Sequence, residues 1–95
     1  MIDLEEKYIE FVKNIISRYL KEYKLYLFGS RVKGTARKFS DIDLAIQSKY
    51  MTRQIKDKLQ VEFENSTLPY EVDIVDLNNI LDDFKMLIKD SMVEI

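Results

Sequence analysis

Asp41 and Asp43 are separated by one isoleucine at the start of a largely apolar stretch, residues 42–46. If this stretch is a strand, the two side chains lie on the same face, about 6.5–7 Å apart along the chain. Carboxylates that close repel each other unless a cation joins them, and magnesium prefers oxygen ligands. The pair therefore predicts a divalent-metal site, although an isolated Asp-x-Asp also fits an edge strand whose polar face meets water.

A third carboxylate, Asp73, occupies a matching position in the alternating stretch 71–77. If the two stretches form neighbouring strands, Asp73 joins Asp41 and Asp43 on one patch. Three carboxylates can hold two metal ions, which together clamp the attacking and leaving oxygens of a phosphoryl transfer. Glu71 shares a face with Asp73 and is the alternative third ligand, whereas Asp76 lies on the opposite face.

The two glycines of the chain, Gly29 and Gly34, both precede the carboxylate pair. Gly29 follows an apolar stretch and is followed by Ser30. Without a Cβ atom the backbone can approach a phosphate closely, and the N–H groups of a following helix together with the Ser30 hydroxyl would bind it. Gly34 allows a second turn. The spacing matches neither the P-loop nor the dinucleotide fingerprint, so an ordinary P-loop ATPase is disfavoured.

The segment between the glycines and the carboxylates is basic. Four cationic residues fall within eight positions without an acid among them: Arg31, Lys33, Arg37 and Lys38. A loop of this charge suits a triphosphate, although it also fits a solvated turn.

Composition limits the chemistry that remains available. The chain has no cysteine and no histidine, which excludes disulfides, thiolate nucleophiles and zinc–thiolate sites. A formal net charge of -2 gives no global attraction to long nucleic acids. The first residues lack the pattern of a signal peptide, and no apolar run approaches the ~18 residues of a membrane helix. We expect a soluble cytoplasmic protein without a membrane partner.

Periodicity predicts the elements that position these residues. Apolar residues at helical spacing predict a helix within 2–23 that Asp3 can cap, and a second from about Thr52, its cap, to Asn65. Residues 25–28, 41–47 and 71–77 are predicted strands, with Ile42, Leu44 and Ile46 facing the core. A last helix is expected from Asn78 or Asn79 to about residue 90. Its inward residues would be Ile80, Leu81, Phe84, Leu87 and Ile88. This order predicts one α/β (α+β) domain, residues 1–95, with a small sheet covered by helices.

The combined motif resembles that of the nucleotidyltransferases related to DNA polymerase beta, and in particular their minimal bacterial and archaeal members. It reads Gly29-Ser30-Arg31-Val32-Lys33-Gly34, followed by Ser40-Asp41-Ile42-Asp43-Leu44. The resemblance implies a mixed sheet and transfer of a nucleoside monophosphate from a nucleoside triphosphate, with release of pyrophosphate.

The resemblance also implies roles for individual residues. Gly29 and Ser30 match the positions that grip the triphosphate, with Arg31 and Gly34 as further nucleotide-binding positions. Asp41 and Asp43 match the pair that binds magnesium, with two ions expected, and Asp73 matches the third catalytic carboxylate, which helps to activate the attacking hydroxyl.

Minimal members are similar to antitoxins that transfer AMP from ATP to a tyrosine of a HEPN-domain toxin, so the resemblance implies that toxin as partner and a hetero-oligomer with it. Two alternatives stay open. One is an RNA or small-molecule acceptor, and the other is a catalytically weak antitoxin that neutralises its partner by binding.

Overall fold

The computed structural model describes residues 2–38 and 40–95. In chain order the elements are α1 (Glu6–Ser17), β1 (Lys24–Phe28), α2 (Ser30–Lys33), β2 (Ile42–Gln47), α3 (Arg53–Glu64), β3 (Val72–Asp76), α4 (Asp82–Lys89) and β4 (Val93–Glu94). The predicted order of helices and strands is confirmed, and β4 is an addition that the sequence pattern did not reveal. None of the helices among these residues has the length and apolar content that crossing a lipid bilayer requires.

The four strands form one mixed sheet in the order β3-β2-β1-β4. β1 pairs with β2 and β4 in antiparallel fashion, whereas β2 and β3 are parallel. A parallel pair needs a crossover connection, which α3 provides. The mixed sheet flanked by helices is the predicted fold class.

The sheet has one largely apolar face, against which α1 and α3 pack; Asp76 at the end of β3 is its polar exception. Strict alternation in β2 sends Leu44 and its apolar neighbours to this side, as predicted. Burial of each large aliphatic side chain here contributes about 1.5–3 kcal/mol. Residues buried in this core include Val12, Ile16, Leu27, Ile42, Leu44, Ile46, Leu59 and Ile74.

The opposite face of the sheet is shared between α4 and the carboxylates. A smaller cluster of Phe28, Ala45, Leu77 and Ile88 fills the part under α4. Asp43 alternates with Ala45 along β2 and so lies on this same side, beyond the apolar cluster. One face of the sheet therefore stabilises the fold, while the other also presents polar chemistry.

Helix starts test the predicted caps. The Thr52 side chain accepts a hydrogen bond from the Ile55 N–H at 3.1 Å, which confirms that cap for α3. The Asp3 prediction is wrong, since α1 begins after Glu5 and has no side-chain cap. The Asp3 backbone instead bonds to Arg31, its N–H donating to the Arg31 carbonyl at 2.7 Å, which holds it away from the helix.

The prediction for α4 is wrong in two respects. The helix follows Leu81 rather than Asn78 or Asn79. Both asparagines belong to a turn after β3, in which the Asn78 N–H donates to Asp76 Oδ1 and the Asn79 N–H to the Asp76 carbonyl, each at 3.0 Å. Of the apolar residues expected to face inward, Ile88 is buried, but Leu81 is 80% exposed and Leu87 75% exposed. The reason is the limited apolar area on this side of the sheet, part of which the carboxylates occupy.

Candidate active site

The structure brings two of the predicted carboxylates into direct register. Asp43 of β2 and Asp73 of β3 are paired residues in the parallel ladder. Paired residues of neighbouring strands point to the same face, with backbones about 4.8 Å apart. Asp41 lies just before β2 and is exposed, as is Asp73, whereas Asp43 is partly buried.

Electrostatics at Asp43 reflect this crowding. Burial raises the pKa of the Asp43 carboxyl, and the negative charges of Asp73 and Asp41 raise it further. The Arg31 guanidinium acts in the opposite direction and lowers the pKa. Repulsion among carboxylates at one strand end is unfavourable, and a bound cation would relieve it.

The predicted three-carboxylate metal site is not preassembled. Within residues 2–38 and 40–95, no group of three His, Cys, Asp or Glu side chains is arranged to hold a metal ion. Glu71, the alternative third ligand, uses its backbone carbonyl to accept the Ile42 N–H at 2.8 Å. The oxygen donors of Asp43 and Asp73 nevertheless fit a hard cation in type and charge.

Gly29 links the turn after β1 to the carboxylates. Its backbone has φ 79° and ψ -152°, a region that is essentially restricted to glycine. A Cβ atom at this position would collide with the Asp43 carboxylate and lie 3.1 Å from its Cγ. The turn thus lies against Asp43 because the residue there has no side chain.

The helix that follows this turn is short. Its first residue is Ser30, and the Gly29 carbonyl accepts from the N–H groups of Val32 and Lys33, both at 3.1 Å. Four residues give little macrodipole, so any anion held here would depend on the unpaired first-turn N–H groups and the Ser30 hydroxyl. Gly34 ends α2 at φ 76°, with nothing within 4 Å of an added Cβ, and so has a conformational role.

Arg31 is not available for the predicted phosphate contact. Its side chain is only 5% exposed, and its guanidinium donates to the backbone carbonyls of Asp3 and Ser40, both at 2.7 Å, and of Asp41 at 3.3 Å. The guanidinium carbon also lies 4.3 Å from the centre of the Tyr70 ring. The other predicted basic positions, Lys33, Arg37 and Lys38, are exposed, and Phe39 beside them lies outside the described residues.

Two cavities differ in their relation to the carboxylates. A groove of about 880 Å³ between α1 and α3 contains none of the predicted site residues. A cavity of about 460 Å³ at the outer side of β3 is lined by Asp73 and Tyr70, together with residues of α3. The second has the size for a small group that approaches Asp73.

Sequence patterns did not single out two contacts around the site. Tyr70 lies under Arg31, and Phe84 of α4 packs edge-on against Phe28 with ring centres 6.2 Å apart. Phe28 is the register partner of Asp43. Neither the types nor the spacing of these aromatic residues specified their partners.

Comparisons with known proteins agree with this geometry. The family described as Polymerase beta, Nucleotidyltransferase matches residues 10–95. A curated relative, the probable protein adenylyltransferase MntA of Haemophilus influenzae, is 37% identical over 89 residues, which are 93% of this chain and 78% of the relative.

Solved structures show the same fold. A crystal structure of a toxin–antitoxin with AMP-PNP matches with a TM-score of 0.76 and 25% identity, over 96% of this chain and 72% of that one. A second structure, whose name assigns it provisionally to the nucleotidyltransferases, matches with a TM-score of 0.59 and 24% identity, over 93% of this chain and 97% of that one.

Proposed function

This chain belongs to the polymerase beta nucleotidyltransferase family, and we propose that it transfers AMP from ATP to a tyrosine hydroxyl of a HEPN-domain toxin. The observation that carries the proposal is that Asp43, the register partner of Asp73, lies against the glycine turn at Gly29. The pairing puts carboxylates beside a backbone that can approach phosphates closely. The similarity to a probable protein adenylyltransferase and to a toxin–antitoxin supports a protein acceptor.

Each site residue has a defined task in this proposal. The backbone at Gly29 and the Ser30 hydroxyl bind triphosphate oxygens and orient the α-phosphate. Asp73, which is exposed, accepts the proton of the tyrosine hydroxyl through a carboxylate oxygen. The hydroxyl oxygen forms a bond to the α-phosphorus, the bond from that phosphorus to the bridging oxygen breaks, and pyrophosphate leaves.

Asp41 and Asp43, with Asp73, would hold magnesium. When bound, the metal neutralises phosphate charge and polarises the transferred group. The negative charges of Asp73 and Asp41 repel the Asp43 carboxylate and raise its pKa. A bound cation would relieve this repulsion. Since the three side chains are not preassembled, the carboxylates would adjust when metal and nucleotide arrive together.

The exposed side of α4 supports a protein partner. Leu81 and Leu87 lie largely in water, and Phe84 connects this surface to Phe28 beside Asp43. Large exposed apolar groups favour contact with another protein, whereas a net charge of -2 gives little attraction to a long polyanion.

A labelling experiment tests the function. The purified chain is incubated with ATP labelled at the α-phosphate, magnesium and a HEPN-domain toxin, and labelled sites are mapped by mass spectrometry. Asp43→Asn should reduce transfer about a thousandfold or more, equivalent to roughly 4 kcal/mol, because an anionic ligand is lost. Asp57→Asn, the same change on an exposed position of α3, should label normally.

The outcomes separate the alternatives. Label on a tyrosine of the partner supports the proposal. Label that appears only on added RNA would show that RNA, and not the toxin, is the acceptor. A tight complex with the toxin that carries no label would indicate that the chain neutralises its partner by binding.

A second experiment tests the partner surface. Leu87 lies about 60° from Phe84 around α4, whereas Met86, 72% exposed, lies about 160° away. Leu87→Asp should weaken binding of the HEPN-domain partner about tenfold or more without changing nucleotide binding, and Met86→Asp should bind nearly normally. Equal affinities of both variants and the unmodified chain, measured by calorimetry, would exclude this side of α4.

A further inference from the structure

We propose that Arg31 is a positioning residue that fixes the start of β2, and with it Asp41 and Asp43, relative to the glycine turn. The inference rests on the proposed function for its catalytic consequence, but its structural part stands on the contacts of Arg31 alone. It replaces the phosphate contact that the basic motif predicted.

The contacts of Arg31 converge on the backbone beside the carboxylates. Two of its three carbonyl partners, Ser40 and Asp41, immediately precede β2, and the third, Asp3, belongs to the segment before α1. Because Arg31 is the second residue of α2, the same side chain connects this backbone to the Gly29–Ser30 turn. The hydrogen bonds therefore set the separation between the turn and the first two carboxylates.

Arg31 also contacts the segment that leads into β3, the strand that carries Asp73. The Arg31 guanidinium stacks on Tyr70, which comes shortly before β3 and itself packs edge-on against Tyr8 of α1, with ring centres 5.3 Å apart. The Ile42 N–H donates to the Glu71 carbonyl at 2.8 Å, which fixes the first residue of β2 against the same segment. Arg31 thus contacts the approach to both carboxylate-bearing strands.

The chemistry of arginine suits this task. A planar guanidinium presents donors in several directions at once, and it is less strongly hydrated than an ammonium group, so its burial is more easily tolerated. A lysine would keep the charge, but its single nitrogen cannot reach three separated carbonyls, and lysine has no planar group to lie over the Tyr70 ring. Arg31→Lys is therefore the informative variant, because charge is retained while the geometry is lost.

Ser48 supplies a matched control. It is the other buried polar residue among those described, also 5% exposed, and it stands directly after β2, at the end remote from the carboxylates. Its hydroxyl donates to the Glu22 carbonyl at 2.6 Å and accepts the Tyr50 N–H at 3.1 Å. Ser48→Ala removes a buried hydrogen bond next to the same strand, at a position away from the carboxylates.

The experiment compares the unmodified chain with Arg31→Lys and Ser48→Ala at a temperature where all are folded. We expect Arg31→Lys to lower the affinity for magnesium with AMP-PNP, or kcat for AMP transfer, by about 10- to 100-fold, the scale of a 1 Å misplacement. Amide hydrogen exchange at residues 41–43 should accelerate in Arg31→Lys alone. Ser48→Ala should lose thermal stability while its nucleotide affinity and kcat stay within about twofold.

The readouts separate the two proposals. If the unmodified chain binds nucleotide but transfers no AMP, the proposed function fails, and hydrogen exchange and affinity still decide the role of Arg31. If Arg31→Lys matches Ser48→Ala in exchange at 41–43, in affinity and in kcat, the positioning role is overturned and Arg31 only stabilises the fold.

Discussion

The two ends of β2 are built differently although they belong to one strand. At its start, Asp41 and Asp43 crowd near Asp73, and the backbone is tied by a buried cation, Arg31. At its end, the tie is the neutral Ser48. Arg31 and Ser48 both donate hydrogen bonds to backbone carbonyls, but only Arg31 lies among charges that repel one another. The difference is consistent with the proposed role of the start of β2 in binding a charged ligand, whereas the contacts at its end stabilise the fold.

Neighbouring contacts extend this contrast. At the end of β2, the Ile46 carbonyl accepts the Leu77 N–H at 3.0 Å, and the Ser48 carbonyl accepts from Asn78. These contacts are ordinary hydrogen bonds, each contributing about 0.5–1.5 kcal/mol net. At the start of β2, by contrast, Gly29 holds a rare backbone conformation, and burial and repulsion raise the pKa of Asp43. A backbone conformation that only glycine adopts and an unfavourable concentration of charge both occur at the end that carries the proposed chemistry.

After the loss of the Asp43 charge itself, the largest expected effect at the charged end comes from a single methyl group at Gly29. Gly29→Ala should cost about 1–3 kcal/mol of stability from backbone strain and should also displace the Asp43 carboxylate, so AMP transfer should fall by about a hundredfold. Thermal unfolding and the kinetics of AMP transfer measure the two effects.

Gly34→Ala is the matched control for that change. Gly34 also has a positive φ, but an added Cβ would meet nothing within 4 Å. It should therefore lose about 1–2 kcal/mol of stability and keep most of its transfer rate. If both variants lost the same fraction of activity, strain alone would explain the result and the contact with Asp43 would have no special role.

A smaller effect is expected at the neutral end of the strand. Ser48→Ala leaves the Glu22 carbonyl without its partner and should destabilise the fold by about 1–3 kcal/mol. Chemical denaturation measures the change in the free energy of unfolding. A large loss of nucleotide affinity in this variant would contradict the division between the two ends of β2.

The smallest effect concerns repulsion at the charged end in the absence of metal. With EDTA present, Asp73→Asn should raise Tm slightly, by less than the roughly 4–8 °C that 1 kcal/mol produces in a domain of this size. The cause is the removal of one negative charge that raises the pKa of Asp43.

The pH dependence of that effect follows from the direction of the shift. Because the folded-state pKa of Asp43 is raised, its ionised form weakens folding at pH values above that pKa. Lowering the pH protonates Asp43 and removes the penalty, so the Tm difference between Asp73→Asn and the unmodified chain should shrink in acid. A difference that grew as the pH fell would contradict repulsion as the cause.

Much of the local structure followed from the sequence alone. Alternation in residues 41–47 predicted which side chains of β2 face the core, and Thr52 predicted a cap that α3 has. These features depend on the chain's own periodicity and on hydrogen bonds between near neighbours, which the order of residue types specifies. The Gly-Ser turn and the spaced aspartates belong to the same class, and they sufficed to indicate a nucleotidyltransferase.

Other features depended on which segments meet in space. The register of Asp43 with Asp73 follows from parallel pairing across α3, and the burial of Arg31 depends on carbonyls from residues distant in the chain. The alternating pattern predicted that Asp73 joins Asp43 only on the condition that their strands are neighbours. It gave no indication that Arg31 is buried, since a basic residue in a loop is usually solvated. The exposure of Leu87 likewise reflects how little apolar surface remains beside the carboxylates. Sequence thus determined the local elements and the chemical groups of the site, whereas tertiary packing decided which of those groups meet, because burial and pairing are properties of the assembled sheet.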